Sequence, residues 1–161
     1  MEIERKWLID AFPAELVPCE EKVTYSWYIS TSPVVRLRES RGRYILTFKG
    51  EGHLSREEIE SEIPEVFAKE IIRFTGKEPI VKTMKVYDLE GSLKLECSSV
   101  DNTFLYAEVE FDSEEEANAF VPPSFLGKEV TYDPQMKMNN YWKRKNGLDW
   151  ACSLRDESVL D

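Results

Sequence analysis

Charged residues alternate with apolar ones at the start of this chain. In the stretch MEIERKW, Glu2, Glu4 and Lys6 fall on one side of an extended backbone, because successive side chains of a β-strand point to opposite faces. Two carboxylates and an ammonium group on one face are either a solvated strand surface or part of a site. Carboxylate oxygens bind hard divalent cations and ammonium groups bind anions, so such a site would take a metal ion and an anionic substrate.

Five later segments repeat this alternation, and most of their charged faces carry one sign. A half-buried antiparallel strand ordinarily presents polar residues on one face, so a single strand of this kind would mean little. Faces of a single sign favour instead a barrel whose charged faces point into a wet lumen and whose apolar faces are covered by helices. The basic faces carry Arg36, Arg38 and Lys49, the acidic faces carry Glu58, Glu60, Glu62, Glu108 and Glu110, and Lys94 shares a face with Glu96.

Charges collected in a lumen must be hydrated, paired or bound by a ligand, because an unpaired buried charge is strongly destabilising. Clustered carboxylates raise one another's pKa values, and a divalent cation relieves that repulsion. Arginine and lysine side chains on facing strands bind phosphate oxygens. The combination predicts metal-assisted attack on a polyphosphate.

Most of the chain is predicted to form β-strands joined by short polar turns. Three helices are predicted: one over EVFAKEIIRFTG that ends near Gly76, one with Ser113 as its N-cap, and one over 135–146. The predicted fold class is mainly β (α+β), an antiparallel β protein with a few short helices. The predicted strand segments are 2–9, 22–30, 34–40, 43–50, 57–64, 79–89, 92–100 and 104–111.

Length and composition favour a single domain over residues 1–161, with a C-terminal tail at 147–161. The net charge of −10 argues against a nucleic-acid partner, which needs a basic face. The chain has no apolar run of about 18 residues and no signal-peptide pattern, so we expect no membrane partner and a cytoplasmic location. His53 is the single histidine and there is no C-x-x-C pair, which argues against a Cys/His zinc site. A homodimer is compatible with this sequence.

Six blocks of the sequence, taken together, resemble the CYTH superfamily, also called the triphosphate tunnel metalloenzymes. Glu2-x-Glu4-x-Lys6 is similar to the ExExK signature of that superfamily. The other blocks follow in the family's order, and the resemblance covers nearly the whole chain. They are VRLR at 35–38, LTFK at 46–49, REEIESEIP at 56–64, AEVEF at 107–111 and LGKEVTYDP at 126–134.

The resemblance implies an eight-stranded antiparallel closed barrel, a tunnel with a charged lumen, in which a triphosphate is hydrolysed with Mg²⁺ or Mn²⁺. The implied metal ligands are Glu2, Glu4, Glu96, Glu108 and Glu110. The implied triphosphate-binding residues are Lys6, Arg36, Arg38, Lys49, Lys82, Lys85 and Lys128. The implied catalytic residues are Lys6, Glu60 and Glu62.

Three segments depart from the family pattern. A Lys-x-Arg of many members corresponds to Lys82 and Met84 here, so either Lys85 replaces the arginine or that contact is missing. Ser26 stands where bacterial members often have glutamine, and QMKMN at 135–139 replaces an Arg-Tyr-x-Asn.

The leading hypothesis is hydrolysis of inorganic tripolyphosphate, a small anionic triphosphate. One alternative is an adenylate cyclase of the same family. The other, motivated by Met84 and the QMKMN segment, is a non-catalytic sensor that binds polyphosphate or nucleotide.

Overall fold

The computed structural model describes residues 1–148, and its main element is an antiparallel sheet of nine strands. Their order across the sheet is β5-β1-β9-β8-β7-β2-β3-β4-β6. The strands are β1 (Glu2–Ile9), β2 (Glu20–Thr31), β3 (Val34–Ser40), β4 (Arg43–Lys49), β5 (Ser55–Arg56), β6 (Glu58–Ile63), β7 (Ile80–Asp88), β8 (Lys94–Val100) and β9 (Phe104–Glu110). All eight predicted strand segments are strands.

The two outermost strands of the sheet are consecutive in the chain and wrap it into a nearly closed barrel. Glu57 alone separates β5 from β6. β5 pairs with β1 at Glu2 and Arg56, whereas β6 pairs with β4 along its whole length. The segment 55–63 therefore joins both edges of the sheet. The predicted barrel is confirmed, and the ninth strand is the two-residue β5, which precedes the predicted segment 57–64.

The rest of the β1 edge is covered by an irregular segment, 127–131. The Leu8 N–H donates to the Lys128 carbonyl at 2.9 Å, and the Val130 N–H donates to the Lys6 carbonyl at 2.8 Å. Gly127 is required at this approach, because a Cβ atom there would lie 2.6 Å from the Leu8 carbonyl oxygen.

Helices cover the outward apolar faces of the strands. α1 (Glu65–Thr75) places Ala68 against a buried cluster that includes Trp27 and Leu37. α2 (Glu114–Ala119) places Ala117 in a second cluster with Trp7. Strand alternation thus puts apolar side chains under the helices and leaves the opposite faces to the barrel interior.

The helix boundaries follow local capping. α1 ends at Gly76, whose φ of 59° is left-handed and whose N–H donates to the Ile72 carbonyl. Ser113 caps α2, and its Oγ accepts from the Glu116 N–H at 3.1 Å. Both predictions are confirmed. The third helix, α3 (Met138–Lys145), begins later than predicted, because Lys137 has an extended backbone after a 3-10 turn at Pro134–Met136.

α3 lies across one end of the barrel, which we call the closed end. Met138 and Trp142 belong to the same buried cluster as the inward-facing Tyr28 and Tyr106, and the Tyr28 and Trp142 rings lie 5.9 Å apart. The Asn139 side chain donates to the Thr31 carbonyl at 3.2 Å. We call the opposite end, where β2 begins at Glu20, the open end.

The predicted tail at 147–161 lies, from residue 149 onward, outside the described residues. Of the helices within residues 1–148, none has both the length and the apolar character needed to cross a membrane.

Candidate active site in the barrel

The barrel encloses a cavity of about 240 Å³. Its walls are formed mostly by inward-facing strand positions and by the segment 130–139. The acidic side chains that line it are Glu2, Glu4, Glu58, Glu60, Glu96, Glu108, Glu110 and Asp133. The basic side chains are Lys6, Lys22, Arg36, Arg38, Lys49, Arg56, Lys82 and Lys137.

The structure brings most of the predicted site residues together in this cavity. Their positions follow from the period-two alternation that the sequence displays. Their chemical roles stay predictions. The predicted residues in the cavity wall are Glu2, Glu4, Lys6, Arg36, Arg38, Lys49, Glu60, Lys82, Glu96, Glu108 and Glu110.

Three predicted residues lie outside the cavity, and the site is corrected accordingly. Glu62 is near the end of β6, where its exposed carboxylate accepts from Arg43 at 2.6 and 3.0 Å. Lys85 lies three residues after Lys82 on β7, so it is on the opposite face of the strand and points away from the lumen. Lys128 is exposed in the segment along the β1 edge.

Several cavity residues were not predicted. Lys22 shares a face of β2 with Thr24 and could have been found by the same alternation. Arg56 and Lys137 could not, because β5 is too short and Lys137 too irregular in backbone to show a periodic pattern. His53, expected as a loop histidine, lies between strands and still lines the cavity.

Two pairs of carboxyl groups in the acidic wall shift each other's pKa values. Burial, with the charges of Glu108 and Glu2, raises the pKa of Glu4 well above its usual range. Although burial opposes its charge, Lys6 and the hydrogen bond from Glu4 keep the pKa of Glu108 below its ordinary value. Of the two carboxyl groups, Glu4 therefore holds a proton more readily than Glu108.

Glu2 and Glu58 form a second pair of the same kind. Burial opposes the charge of Glu2, but the hydrogen bond from Glu58 and the cations of Lys49 and Arg56 lower the pKa of Glu2 to about 2. The hydrogen bond to Glu2 and burial raise the pKa of Glu58 to about 7. Lys49 Nζ lies 3.0 Å from Glu2 and 3.6 Å from Glu58, so it bridges the pair.

A divalent cation fits the chemistry of this donor set. Within residues 1–148, no three acidic, histidine or cysteine side chains form a ready-made metal site. Mg²⁺ commonly binds through one or two carboxylates and takes its remaining ligands from water and substrate phosphates. A carboxylate pair that shares a proton offers that arrangement, because a cation can replace the proton. Glu4 and Glu108 are therefore the residues best suited to hold a metal.

The facing wall is cationic and lacks counterions. In the described part of the chain, no carboxylate lies within 4.0 Å of the charged groups of Arg36, Arg38 or Lys82. The buried Arg36 Nε has no hydrogen-bond partner there, and an Arg36 Nη donates to Thr47 Oγ1 at 3.4 Å. Burial, together with the cations of Lys6 and Arg36, lowers the pKa of Lys82 to about 7 despite the nearby Glu108.

Lys6 lies between the two walls. Its Nζ donates to the Met136 carbonyl at 3.0 Å, lies 3.8 Å from the Glu108 carboxylate, and sits 4.5 Å from the centre of the Tyr106 ring. It therefore contacts the acidic wall and the 3-10 turn that precedes α3. The cavity as a whole can bind a polyanion on one wall and a cation on the other.

No protein-family model matches the chain. The chain is 34% identical over 148 residues to the inorganic triphosphatase of Nitrosomonas europaea. The aligned region covers 84% of this chain and 93% of that protein. Its fold is similar to a crystal structure of an inorganic triphosphatase, with a TM-score of 0.63, 30% identity, and coverage of 88% of this chain and 93% of the other.

A more distant structure shares the fold alone. It is a Hippeastrum protein assigned as an adenylyl cyclase and found to have a dominant triphosphatase activity. The TM-score is 0.58 at 15% identity, over 73% of this chain and 83% of that one.

Proposed function

This chain belongs to the CYTH superfamily of triphosphate tunnel metalloenzymes, and we propose that it hydrolyses inorganic tripolyphosphate inside its barrel with the help of Mg²⁺ or Mn²⁺. Water attacks the terminal phosphorus, the bridging P–O bond breaks, and the products are orthophosphate and pyrophosphate. The inorganic triphosphatase similarity supports this reaction.

One observation carries the proposal: a cationic wall without counterions faces carboxylate pairs across a single cavity. Arg36, Arg38 and Lys82 have no carboxylate within 4.0 Å in residues 1–148, so a bound polyanion can pair with them without displacing an ion pair. Without a bound anion, the Arg36 and Arg38 guanidinium groups would stay largely desolvated without an ion-pair partner.

We assign the roles of the cavity residues as follows. Arg36, Arg38 and Lys82 bind phosphate oxygens, and Lys6 adds a donor where charge develops on the reacting phosphate. Glu4 and Glu108 hold the divalent cation, which when bound would polarise a phosphoryl oxygen and lower the pKa of a bound water.

The remaining carboxylates surround that centre. Glu2, Glu96 and Glu110 are proposed as further ligands through water. Burial raises the pKa values of Glu96 and Glu110, so a nearby cation would favour their ionised forms. Glu60, which accepts from Thr47 Oγ1 at 3.3 Å, is proposed to orient the attacking water. Lys49 holds Glu2 and contacts the substrate less directly.

The cavity suits a short free substrate. It has a volume of about 240 Å³, and α3 covers one end. A net charge of −10 disfavours a long nucleic-acid path to the same site. A triphosphate therefore enters from the open end with a terminal phosphate leading.

A second candidate is a polyphosphate sensor without turnover. It is favoured by Met84, which faces the cavity and leaves the inward row of β7 with the single cation Lys82. Such a protein would bind tripolyphosphate but release no phosphate with any divalent metal.

Product analysis separates the candidates. Untagged protein would be incubated with tripolyphosphate, ATP, thiamine triphosphate or pyrophosphate, each with Mg²⁺, Mn²⁺ or EDTA. Equal amounts of orthophosphate and pyrophosphate from tripolyphosphate would support the proposal. Formation of cAMP from ATP with Mn²⁺, or tight binding without turnover, would reject it.

A further inference from the structure

We propose that Lys22 binds the phosphate nearest the open end and lets the site distinguish a triphosphate from a diphosphate, an inference that rests on the proposed function. Lys22 lies on β2, and its side chain lines the cavity. No block of the family resemblance includes it.

The register of β2 and β7 sets the position of Lys22. Thr24 pairs with Lys82, and Lys22 pairs with Met84, two residues closer to the open end. Met84 is 8% exposed, and its sulfur accepts from Thr24 Oγ1 at 3.9 Å, so it offers no charge at this level. At the level where β7 carries Met84, the cation that faces the cavity is therefore Lys22 of β2.

The Lys22 ammonium group is held loosely. Its nearest carboxylate oxygen, on Glu20, lies 3.5 Å away, beyond the usual range of an N–H···O hydrogen bond. Glu20 also lies 3.5 Å from Arg41. Glu20 thus keeps a cationic partner when Lys22 turns toward a bound anion, and the Lys22 side chain is 25% exposed and free to do so.

The spacing of the two lysines makes Lys22 sensitive to substrate length. Two residues of a β-strand span about 6.6 Å along the strand, or about 5 Å along a barrel axis to which strands tilt by about 40°, so the levels of Lys82 and Lys22 differ by roughly that distance. Three linked phosphates whose leading end lies at Lys82 reach the level of Lys22. Two linked phosphates seated in the same way stop short of it.

Lys85 provides a matched control. It lies next to Met84 on β7 but faces outward, 3.5 Å from Glu21 and over the Phe12 ring. The substitutions Lys22→Ala and Lys85→Ala change the net charge equally, and only the first removes a cation from the cavity.

The experiment measures binding of tripolyphosphate and pyrophosphate by calorimetry in EDTA, for wild type, Lys22→Ala, Lys22→Arg and Lys85→Ala. We expect Lys22→Ala to weaken tripolyphosphate binding about tenfold or more, the size of a lost charge-assisted hydrogen bond. Lys22→Arg and Lys85→Ala should stay within about threefold of wild type, and pyrophosphate binding should change by less than about twofold in every variant.

Lys22→Ala that binds tripolyphosphate like wild type would overturn the inference. So would an equal loss in Lys85→Ala, or an equal loss of pyrophosphate binding in Lys22→Ala. Because binding is measured without metal, a wild-type protein that binds tripolyphosphate but does not hydrolyse it would reject the proposed function and leave the assignment of Lys22 standing.

Discussion

Glu4 and Glu108 lie in the cavity wall on the adjacent strands β1 and β9, and each carboxyl group shifts the pKa of the other. Such a pair favours retaining a proton, because two buried like charges repel. The same contact that stores a proton in the free protein can hold a divalent cation in its place. Proton and metal therefore compete for one position, and lowering the pH should weaken metal binding.

Glu4→Gln tests this position. We expect activity with tripolyphosphate to fall about 100-fold or more through lost metal binding, while the metal-free protein melts like wild type, because glutamine resembles the protonated Glu4. Turnover and the rise in Tm caused by Mg²⁺ or Mn²⁺ are the measurements. Glu62→Gln, on the exposed carboxylate outside the cavity, is the control and should keep both properties. An active Glu4→Gln variant would mean that Glu4 is not a metal ligand.

Arg38→Ala should weaken binding of the triphosphate and should also reduce stabilisation of the transition state. The guanidinium group has no carboxylate within 4.0 Å in the described residues, so its removal strands no acidic partner. We expect kcat/KM to fall about 10- to 100-fold, with little change in unfolding free energy. Arg73→Ala, on the exposed face of α1, should leave kcat/KM unchanged. Equal kinetics for both variants would contradict the assignment of Arg38 to the phosphate-binding wall.

Binding of tripolyphosphate should draw a proton onto Lys82. With a pKa of about 7 in the free protein, most Lys82 side chains are neutral amines at pH 8. A bound anion raises that pKa. Affinity should therefore fall as the pH rises above about 7. Calorimetry in EDTA, in buffers of different ionisation enthalpy, counts the protons taken up. Lys82→Met should take up fewer protons than wild type, and equal uptake by the two proteins would contradict the prediction.

Asp101 ties α3 to the turn between β8 and β9. It accepts from the Tyr141 hydroxyl at 2.6 Å, from Lys145 at 2.9 Å and from the Val81 N–H at 2.9 Å. Asp101→Asn suits the left-handed φ of 49°, removes the charge, and leaves a single acceptor oxygen for the three donors Val81, Tyr141 and Lys145. We expect a loss of about 1–3 kcal/mol in unfolding free energy at pH 7.

The pH dependence gives the sign of this effect. Burial opposes the charge of Asp101, but the bonds from Tyr141, Val81 and Lys145 lower its pKa below the ordinary 3.8. Its contribution is therefore complete above pH 3.8 and is lost as the pH falls through the folded pKa. Urea unfolding of wild type and Asp101→Asn should converge in acid. A constant difference between them would show that the charge of Asp101 is not responsible.

The period-two pattern was enough to predict the barrel and most of its lumen. It worked for Arg36 and Glu108 because they lie in the middle of long, regular strands whose outward faces are buried. It placed Glu62 in the site because alternation does not reveal where a strand leaves the cavity. The pattern did not predict Arg56 or Lys137, because their positions depend on tertiary contacts of short or irregular segments.

The resemblance to the family pattern also identified the positions at which this chain differs from other members. It left open whether Lys85 substitutes for a missing arginine, and the register of β7 shows that Lys85 faces outward while Met84 faces the cavity. The cytoplasmic location and the homodimer stay predictions.

The most direct measurement is phosphate release from tripolyphosphate by the untagged protein, with Mg²⁺ or Mn²⁺ and again after addition of EDTA. We expect turnover that requires the metal, stops with EDTA, and exceeds the turnover of ATP and pyrophosphate. Absence of phosphate release with either metal from a folded protein that binds tripolyphosphate would contradict the proposal that this barrel is a triphosphatase.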